Sequence, residues 1–223
     1  NSEKRHIWVG MARETAHQLG TPVSALMGWV DWLKMHPEKT EDIIPEIELD
    51  LKRLQQISRR FSKMGSDPKM EKIDLSQNIS RVLDYLTKRL PSLGKTVDLK
   101  NQIPVGTEIV ANRSLLTWAI ENIIRNSIDA IEGEKGMIML TLIKENQQVF
   151  IRIKDNGCGI PKKDWKNIFR PGFTSKKTGW GLGLSLSQRI IEDMHGGRLK
   201  VLDSVIGEGA TFEIRFSENG DDE

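Results

Sequence analysis

Asp155-Asn156-Gly157-Cys158-Gly159, Thr174-Ser175-Lys176 and Gly179-Trp180-Gly181-Leu182-Gly183 follow one another closely along the chain. Glycines this dense let a backbone approach a ligand and adopt positive φ. The last cluster runs straight into Leu184–Met194, whose pattern predicts a helix. A glycine loop that ends at a helix N-terminus offers unpaired N–H groups and a positive dipole end to phosphate. The spacing excludes two common phosphate loops. No Gly-Lys-Ser/Thr follows a spaced glycine, and Gly-x-Gly-x-Gly is not the dinucleotide pattern Gly-x-Gly-x-x-Gly. Each cluster alone suits a pair of tight turns. Their weight comes from their order and from a third motif upstream.

That motif is Glu121-Asn122-Ile-Ile-Arg125-Asn126-Ser-Ile-Asp129-Ala130. Asn122 and Asn126 are four apart and share a helix face. Ile120, Ile123, Ile124, Ile128 and Ile131 cover much of the remaining surface. Asparagines on a face that heads inward need partners. Main-chain groups would satisfy them. So would a ligand, since amide oxygens are hard donors suited to Mg²⁺ held jointly with phosphate.

Around these motifs the pattern is that of an α+β domain. A short strand is expected near Met70–Ile73, then a helix over Leu75–Leu90 with Ile79, Val82, Leu83 and Leu86 on one face. Val97–Leu99 and Ile109–Ala111 alternate as strands. Ser114 is expected to cap a helix from Leu115 to Ile131. Met137–Ile143 and Val149–Ile153 form a hairpin across Glu145–Gln148, and Leu199–Leu202 and Ala210–Phe216 make another strand pair. Helices and mostly antiparallel strands segregate, which predicts one sheet with one helical face.

The N-terminal part is different. Val9, Ala12, Ala16, Leu19, Val23, Leu26, Val30 and Leu33 step by three and four, the seam of a bundle helix. Pro37 interrupts it. A second seam follows at Ile44, Ile47, Leu51, Leu54, Ser58 and Phe61, ending near Gly65–Pro68. Two such helices make an antiparallel hairpin. One hairpin cannot bury both seams, so a second copy is expected, giving a four-helix bundle. Pro22 lies inside the first pattern and should bend the helix just below His17, which stands on its flank. Trp8, Trp29 and Trp32 lie off the strict seam and suit a core edge or interface. His6, His36 and His195 are read as structural or solvated.

Composition narrows the function. The chain has 223 residues, a net charge of +2 and one cysteine, Cys158. There is no strong field for nucleic acid and no disulfide framework, which suits a reducing compartment. No apolar run is long enough to span a bilayer, and no signal peptide is expected. The chain opens on Asn1-Ser2 and is expected to be a fragment, cytoplasmic itself, with any inner-membrane anchor lying upstream.

Taken together, these residues resemble the cytoplasmic core of a sensor histidine kinase: a dimerisation and phosphoacceptor hairpin followed by a Bergerat-type ATP-binding domain. The resemblance covers nearly the whole chain. Glu14-Thr-Ala-His17-Gln18-Leu-Gly-Thr21-Pro22 is similar to the phosphoacceptor box, and Glu121–Ala130 to the asparagine box. Asp155–Gly159 resembles the first glycine box, Phe169–Lys176 the phenylalanine box of the ATP lid, Gly179–Gly183 the second glycine box and Gly207–Thr211 the last. The implied domains are a hairpin over 1–65, a linker over 66–72, an ATP-binding α+β sandwich over 73–217 and a disordered tail over 218–223.

The resemblance implies roles. Asp155 would accept a hydrogen bond from the adenine amino group, with Thr211 assisting. Gly157, Gly159, Ile160, Phe169, Gly179 and Leu182 would complete the nucleotide site. Asn126, with Asn122, would hold Mg²⁺ against the phosphates of ATP. Thr174, Ser175, Lys176 and the amides around Gly181 and Gly183 would clamp those phosphates. His17 would attack the γ-phosphorus, and its phosphoryl group would pass to an aspartate of a response-regulator receiver domain. Related ATPases carry a glutamate four residues before the Mg²⁺ asparagine to activate water. Here Asn122 stands there and cannot take a proton, which disfavours hydrolysis to solvent. In most of the family an acid follows the phosphoacceptor histidine, whereas here Gln18 does. An amide orients a ring but is not a base. Either autophosphorylation is slow or another carboxylate substitutes, and Glu14, one turn before His17, is the candidate. Thr21 matches the position that helps water attack the receiver's phosphoaspartate, so phosphatase activity is also implied. Two other readings stay open: a degenerate kinase serving as phosphatase or docking scaffold, and a Bergerat-type ATPase.

Overall fold

A computed structural model describes residues 19–20, 22–64, 69–88, 90–91, 96–132, 135–174, 181 and 183–217; side chains at 53, 56, 57 and 59–64 are outside the description. The chain divides into two compact units, 1–68 and 69–223.

In the first unit residues 19–20 and 22–35 are helical (α1). His36 leaves the helix at φ −133° and ψ 61°, as a residue before proline tends to do, and Pro37–Lys39 forms a single 3-10 turn. Helix α2 then runs over Thr40–Met64, with Pro45 inside it. The Trp29 indole N–H donates to Asp50 Oδ2 across the pair at 3.2 Å. Trp32 packs against His36 with ring centroids 4.6 Å apart and the planes tilted by 38°, and Lys39 Nζ sits 5.8 Å from the centroid of the Trp32 ring. Trp29 and Trp32 are therefore half-buried inside the hairpin. The second seam differs from the expected one. Ile43, Ile47 and Leu54 are the partly covered apolar residues, with Asp50 buried among them, while Ile44 and Leu51 are each 46% exposed. Val23 and Val30 on α1 are exposed too. A helix touching one neighbour covers only part of so wide an apolar stripe.

The second unit begins with β1 (Glu71–Asp74) and α3 (Leu75–Thr87). Glu71 and Lys72, expected in the linker, pair in β1. Asp74 caps α3 by accepting from Gln77 N, and Ile79, Val82, Leu83 and Leu86 are buried as their spacing predicts. Strands β2 (Val97–Asn101) and β3 (Glu108–Ala111) follow, then α4 (Arg113–Ala130). The cap of α4 is Asn112, not Ser114: Asn112 Oδ1 accepts from Leu115 N at 3.0 Å. Asn112 keeps an extended backbone at φ −77° and ψ 110°, the cap conformation, so the helix starts one residue before Ser114. Strands β4 (Gly136–Glu145) and β5 (Gln148–Asp155) form the expected hairpin. Its turn residues Asn146 and Gln147 have φ of 50° and 61°, the signs a two-residue hairpin turn needs. Helix α5 (Gly183–Arg189) passes into a π-helical turn over Ile190–Met194. Strands β6 (Arg198–Val205) and β7 (Gly209–Ser217) close the unit.

There are two sheets where one was expected. β1 and β3 form an antiparallel pair, and five strands form the main sheet in the order β2-β4-β5-β7-β6. Within it β2 runs parallel to β4, and the other neighbours are antiparallel. One face of the main sheet is apolar. Ile138, Leu140, Ile151, Ile153, Phe212 and Ile214 are all buried, as are Leu116, Ile120, Ile123, Ile124 and Ile128 of α4. Burying each such side chain contributes roughly 1.5–3 kcal/mol. The opposite face carries charge: Arg152 Nε and Lys200 Nζ clasp the buried Glu213 carboxylate at 3.0 and 3.1 Å. The layering is helices on one side of a largely antiparallel sheet, which brings the C-terminal end of α4 beside the end of β5.

Candidate functional site

β5 ends at Asp155, and the alternation of the strand turns that side chain to the helical face with Val149, Ile151 and Ile153. Asp155 is 2% exposed. Its Oδ1 accepts two main-chain N–H groups, Gly157 at 2.9 Å and Ala210 at 3.1 Å. The carboxylate is thereby locked in one orientation, with Oδ2 as its second acceptor.

The loop after Asp155 is held from three sides. Asn156 accepts from Met137 N at 2.7 Å and donates to Lys135 O at 3.1 Å. Cys158 N bonds to Ala130 O, the last residue of α4, at 2.9 Å. Gly207 N bonds to Cys158 O at 2.9 Å, joining the loop to the β6–β7 turn. Ile160 N donates to Ser204 Oγ at 2.7 Å, and the Trp165 indole donates to Ile160 O at 3.0 Å. Two glycines are obligatory here. A Cβ on Gly159, at φ +76°, would lie 2.3 Å from Val205 O, and one on Gly209, at φ +120°, 2.0 Å from Asp155 O.

On the same helix α4 that meets this loop at Ala130, Asn122 and Asn126 stand one turn apart. Asn126 Nδ2 donates to the Asn122 carbonyl at 2.9 Å. Asn122 is 7% exposed, and its Nδ2 is buried with no hydrogen-bond partner among the described residues. Leaving a buried amide donor unpaired is costly, so an acceptor oxygen on a ligand would suit this position. Gly183, at the start of α5, faces both: a Cβ there would lie 3.6 Å from Asn126 Nδ2 and 3.9 Å from Asn122 Cγ. The Ser187 hydroxyl, one turn further on, lies 3.2 Å from Ala119 O and 2.9 Å from Gly183 O and shares its one proton between them, fastening α5 to α4. Phe169 is buried at the end of a 3-10 turn. Gly172 N bonds to Gly181 O at 3.1 Å, so the two ends of the segment between them meet. Gly181 has φ +65°, and a Cβ there would lie 2.4 Å from Phe173 O.

Asn122, Asn126, Asp155, Gly157, Gly159, Ile160, Phe169, Gly181 and Gly183 thus belong to one region around α4, β5 and α5. Thr174 lies two residues beyond Gly172 on the same segment. Thr211 does not face Asp155. It pairs with Lys154 on β5, one position from Asp155, and the pleat turns neighbours in a strand to opposite faces. The main-chain N–H of Ala210 meets the carboxylate instead. Ser175, Lys176, Gly179 and Leu182, and all of Glu14, His17, Gln18 and Thr21, lie outside the described residues.

Four supporting residues escaped the sequence reading: Asn112, Ser187, Ser204 and the second role of Asn156. Each acts through main-chain bonds to distant segments, which leave no periodic signal. His195 is structural, as expected: its Nδ1 lies 2.7 Å from Ile190 O and its Nε2 accepts from Asn112 N at 3.0 Å. Burial lowers its pKa from 6.5, against the pull of the Ile190 carbonyl.

Comparison with known proteins agrees with this geometry. A profile for the histidine kinase-, DNA gyrase B-, and HSP90-like ATPases matches residues 111–220. The signal transduction histidine-protein kinase AtoS of Escherichia coli (strain K12) is 33% identical over 89% of this chain. The adaptive-response sensory kinase SasA of Prochlorococcus marinus (strain MIT 9215) is 32% identical over 92%. The chain spans only 33% of AtoS and 57% of SasA. Among solved structures, the catalytic domain of histidine kinase ThkA aligns with a TM-score of 0.58 at 25% identity, covering 67% of this chain and 96% of that one. ThkA in complex with the response regulator TrrA aligns with a TM-score of 0.69 at 24% identity, over 100% of this chain and 65% of that one.

Proposed function

Because this chain holds the catalytic core of a sensor histidine kinase, we propose that it transfers the γ-phosphoryl group of ATP to His17 and then to an aspartate of a response-regulator receiver domain. The observation that carries the reading is the locked Asp155 carboxylate, together with a buried Asn122 amide that has no hydrogen-bond partner among the described residues. One is an acceptor for a base amine and the other a donor for a phosphate oxygen, and a nucleotide supplies both.

In this reading Asp155 Oδ2 accepts from the adenine amino group. Gly157 and Ala210 hold the carboxylate, and Gly159, Ile160 and Phe169 shape the pocket. Asn122 Nδ2 donates to phosphate. Asn126 and Asn122, one turn apart on α4, carry hard amide oxygens of the kind that suits Mg²⁺. Bound there, Mg²⁺ would neutralise charge on the phosphates. Thr174, Ser175, Lys176 and the amides near Gly179, Gly181, Leu182 and Gly183 complete the clamp, lysine serving as a mobile charge. The neutral imidazole of His17 forms a phosphorus–nitrogen bond as the bond to ADP breaks, and its ring proton passes to Glu14 or to water. The homologous kinases support this reading, as does the ThkA–TrrA complex for a receiver partner.

Apolar side chains left exposed on both helices of the first unit support a homodimer that forms a four-helix bundle. The family resemblance at Thr21 supports a second activity, phosphatase action on the regulator. The test is incubation with γ-labelled ATP and Mg²⁺. Label that is acid-labile, alkali-stable and lost in His17→Ala is the expected result. Labelling equal to that control would leave a docking scaffold.

A further inference from the structure

The hydroxyl of Ser204 sits in a position that the nucleotide reading does not use. It accepts from Ile160 N at 2.7 Å and donates to Gly209 O at 2.9 Å. The Gly209 carbonyl belongs to the same peptide plane as the Ala210 N–H, and that N–H binds Asp155 Oδ1. Ser204 therefore grips one end of a rigid peptide whose other end grips the carboxylate. Through Ile160 it also holds the loop whose Gly157 N–H is the other bond to Oδ1. Both N–H groups that aim Asp155 are thus tied back to one hydroxyl. Only a side chain that donates and accepts at once closes this ring, and a hydroxyl is the smallest that does. Glycine is required at 209 because its Cβ would strike the Asp155 carbonyl. That backbone freedom would let the peptide rotate were its carbonyl not held.

We infer that Ser204 is a positioning residue for base selection, acting on Asp155 through the Gly209–Ala210 peptide. The inference rests on the nucleotide reading above. Ser204→Ala removes both bonds while leaving every proposed ligand contact in place. Asp155 then loses its fixed aim, and discrimination by the base amine falls.

The experiment is calorimetric titration of the full chain with ATP and with inosine triphosphate, in which a carbonyl replaces the amine. In the natural protein ATP binds more tightly. In Ser204→Ala the ATP affinity should drop about two- to tenfold, the loss expected for one hydrogen bond. Inosine triphosphate should change little, so the ratio narrows. Ser204→Thr, which keeps the hydroxyl, should retain the natural ratio. A merely structural serine would lower the melting temperature and leave the ratio alone, and that result overturns the inference. Asp155→Asn separates the two levels. If it abolishes ATP selectivity while Ser204→Ala does not alter it, the positioning role is wrong and the nucleotide site stands. If Asp155→Asn leaves ATP binding intact, the nucleotide site itself is wrong. Should Ser204→Ala not fold, Ser204→Cys carries the same comparison, since a thiol both donates and accepts weakly.

Discussion

Asp155 shows how much one carboxylate depends on its surroundings. Two main-chain N–H groups claim Oδ1. In Asp155→Asn the amide oxygen must take that side, because an NH₂ there would oppose two donors. The NH₂ is then turned toward the base amine, donor against donor. Losing a charge-assisted bond costs roughly 1.5–3 kcal/mol. ATP affinity should fall about tenfold to a hundredfold in calorimetry, with the fold of the variant intact by circular dichroism. A second residue-scale test concerns Gly159. A Cβ at φ +76° and 2.3 Å from Val205 O is both strained and obstructed. Gly159→Ala should destabilise the ATP-binding unit by at least about 2 kcal/mol, read as a lower denaturant midpoint at unchanged slope.

At the scale of elements, α4 and the helical stretch from Gly183 to Met194 are joined through His195. Its ring accepts from the N–H of Asn112, the residue that caps α4, and its Nδ1 meets the carbonyl of Ile190 where the π-helical turn begins. With Nδ1–H donating to Ile190, Nε2 needs its lone pair, so the folded protein wants the neutral ring. Burial, the largest influence, lowers the pKa below 6.5. The sign follows from linkage. The unfolded chain binds the proton more readily, so the stabilisation is fully present above pH 6.5 and is lost as pH falls through the lowered folded pKa. His195→Gln removes that titration. The stability gap between natural protein and variant should be widest near pH 7 and shrink toward pH 5, measured by urea unfolding followed by tryptophan fluorescence. A gap independent of pH would mean that His195 acts by packing alone, against Phe216 at 6.1 Å.

For the whole molecule, the two units differ in how much of a core each encloses. The second encloses its own core. The first leaves Val23, Val30, Ile44 and Leu51 between 42% and 49% exposed, and Met27 at 64%. A hairpin with apolar residues on its outside is expected to pair with a second copy. The full chain should be a dimer by light scattering. A fragment beginning at Lys69 should be a folded monomer that still binds ATP. A dimeric fragment would place the self-association in the second unit and remove the four-helix bundle.

Much of the fold, and the grouping of the described site residues on α4, β5 and α5, was legible in the sequence for a local reason. Helix periodicity placed the apolar faces of α3 and α4, because burial repeats with the turn of the helix. The glycines at 159, 181 and 209 marked tight approaches, because no other residue takes their φ without strain. The asparagine spacing put Asn122 and Asn126 on one face, because four residues make about one turn. What tertiary structure alone decided depends on segments far apart in the chain. Asn112 rather than Ser114 caps α4, because both carry capping side chains and only the backbone angles choose between them. Thr211 turns away from Asp155, because strand register is set by packing across the whole sheet and a one-residue step reverses the face. Ser204 became visible only once β6, β7 and the loop after β5 had met, since a hydroxyl bridging residues 160 and 209 has no signature in the order of amino acids.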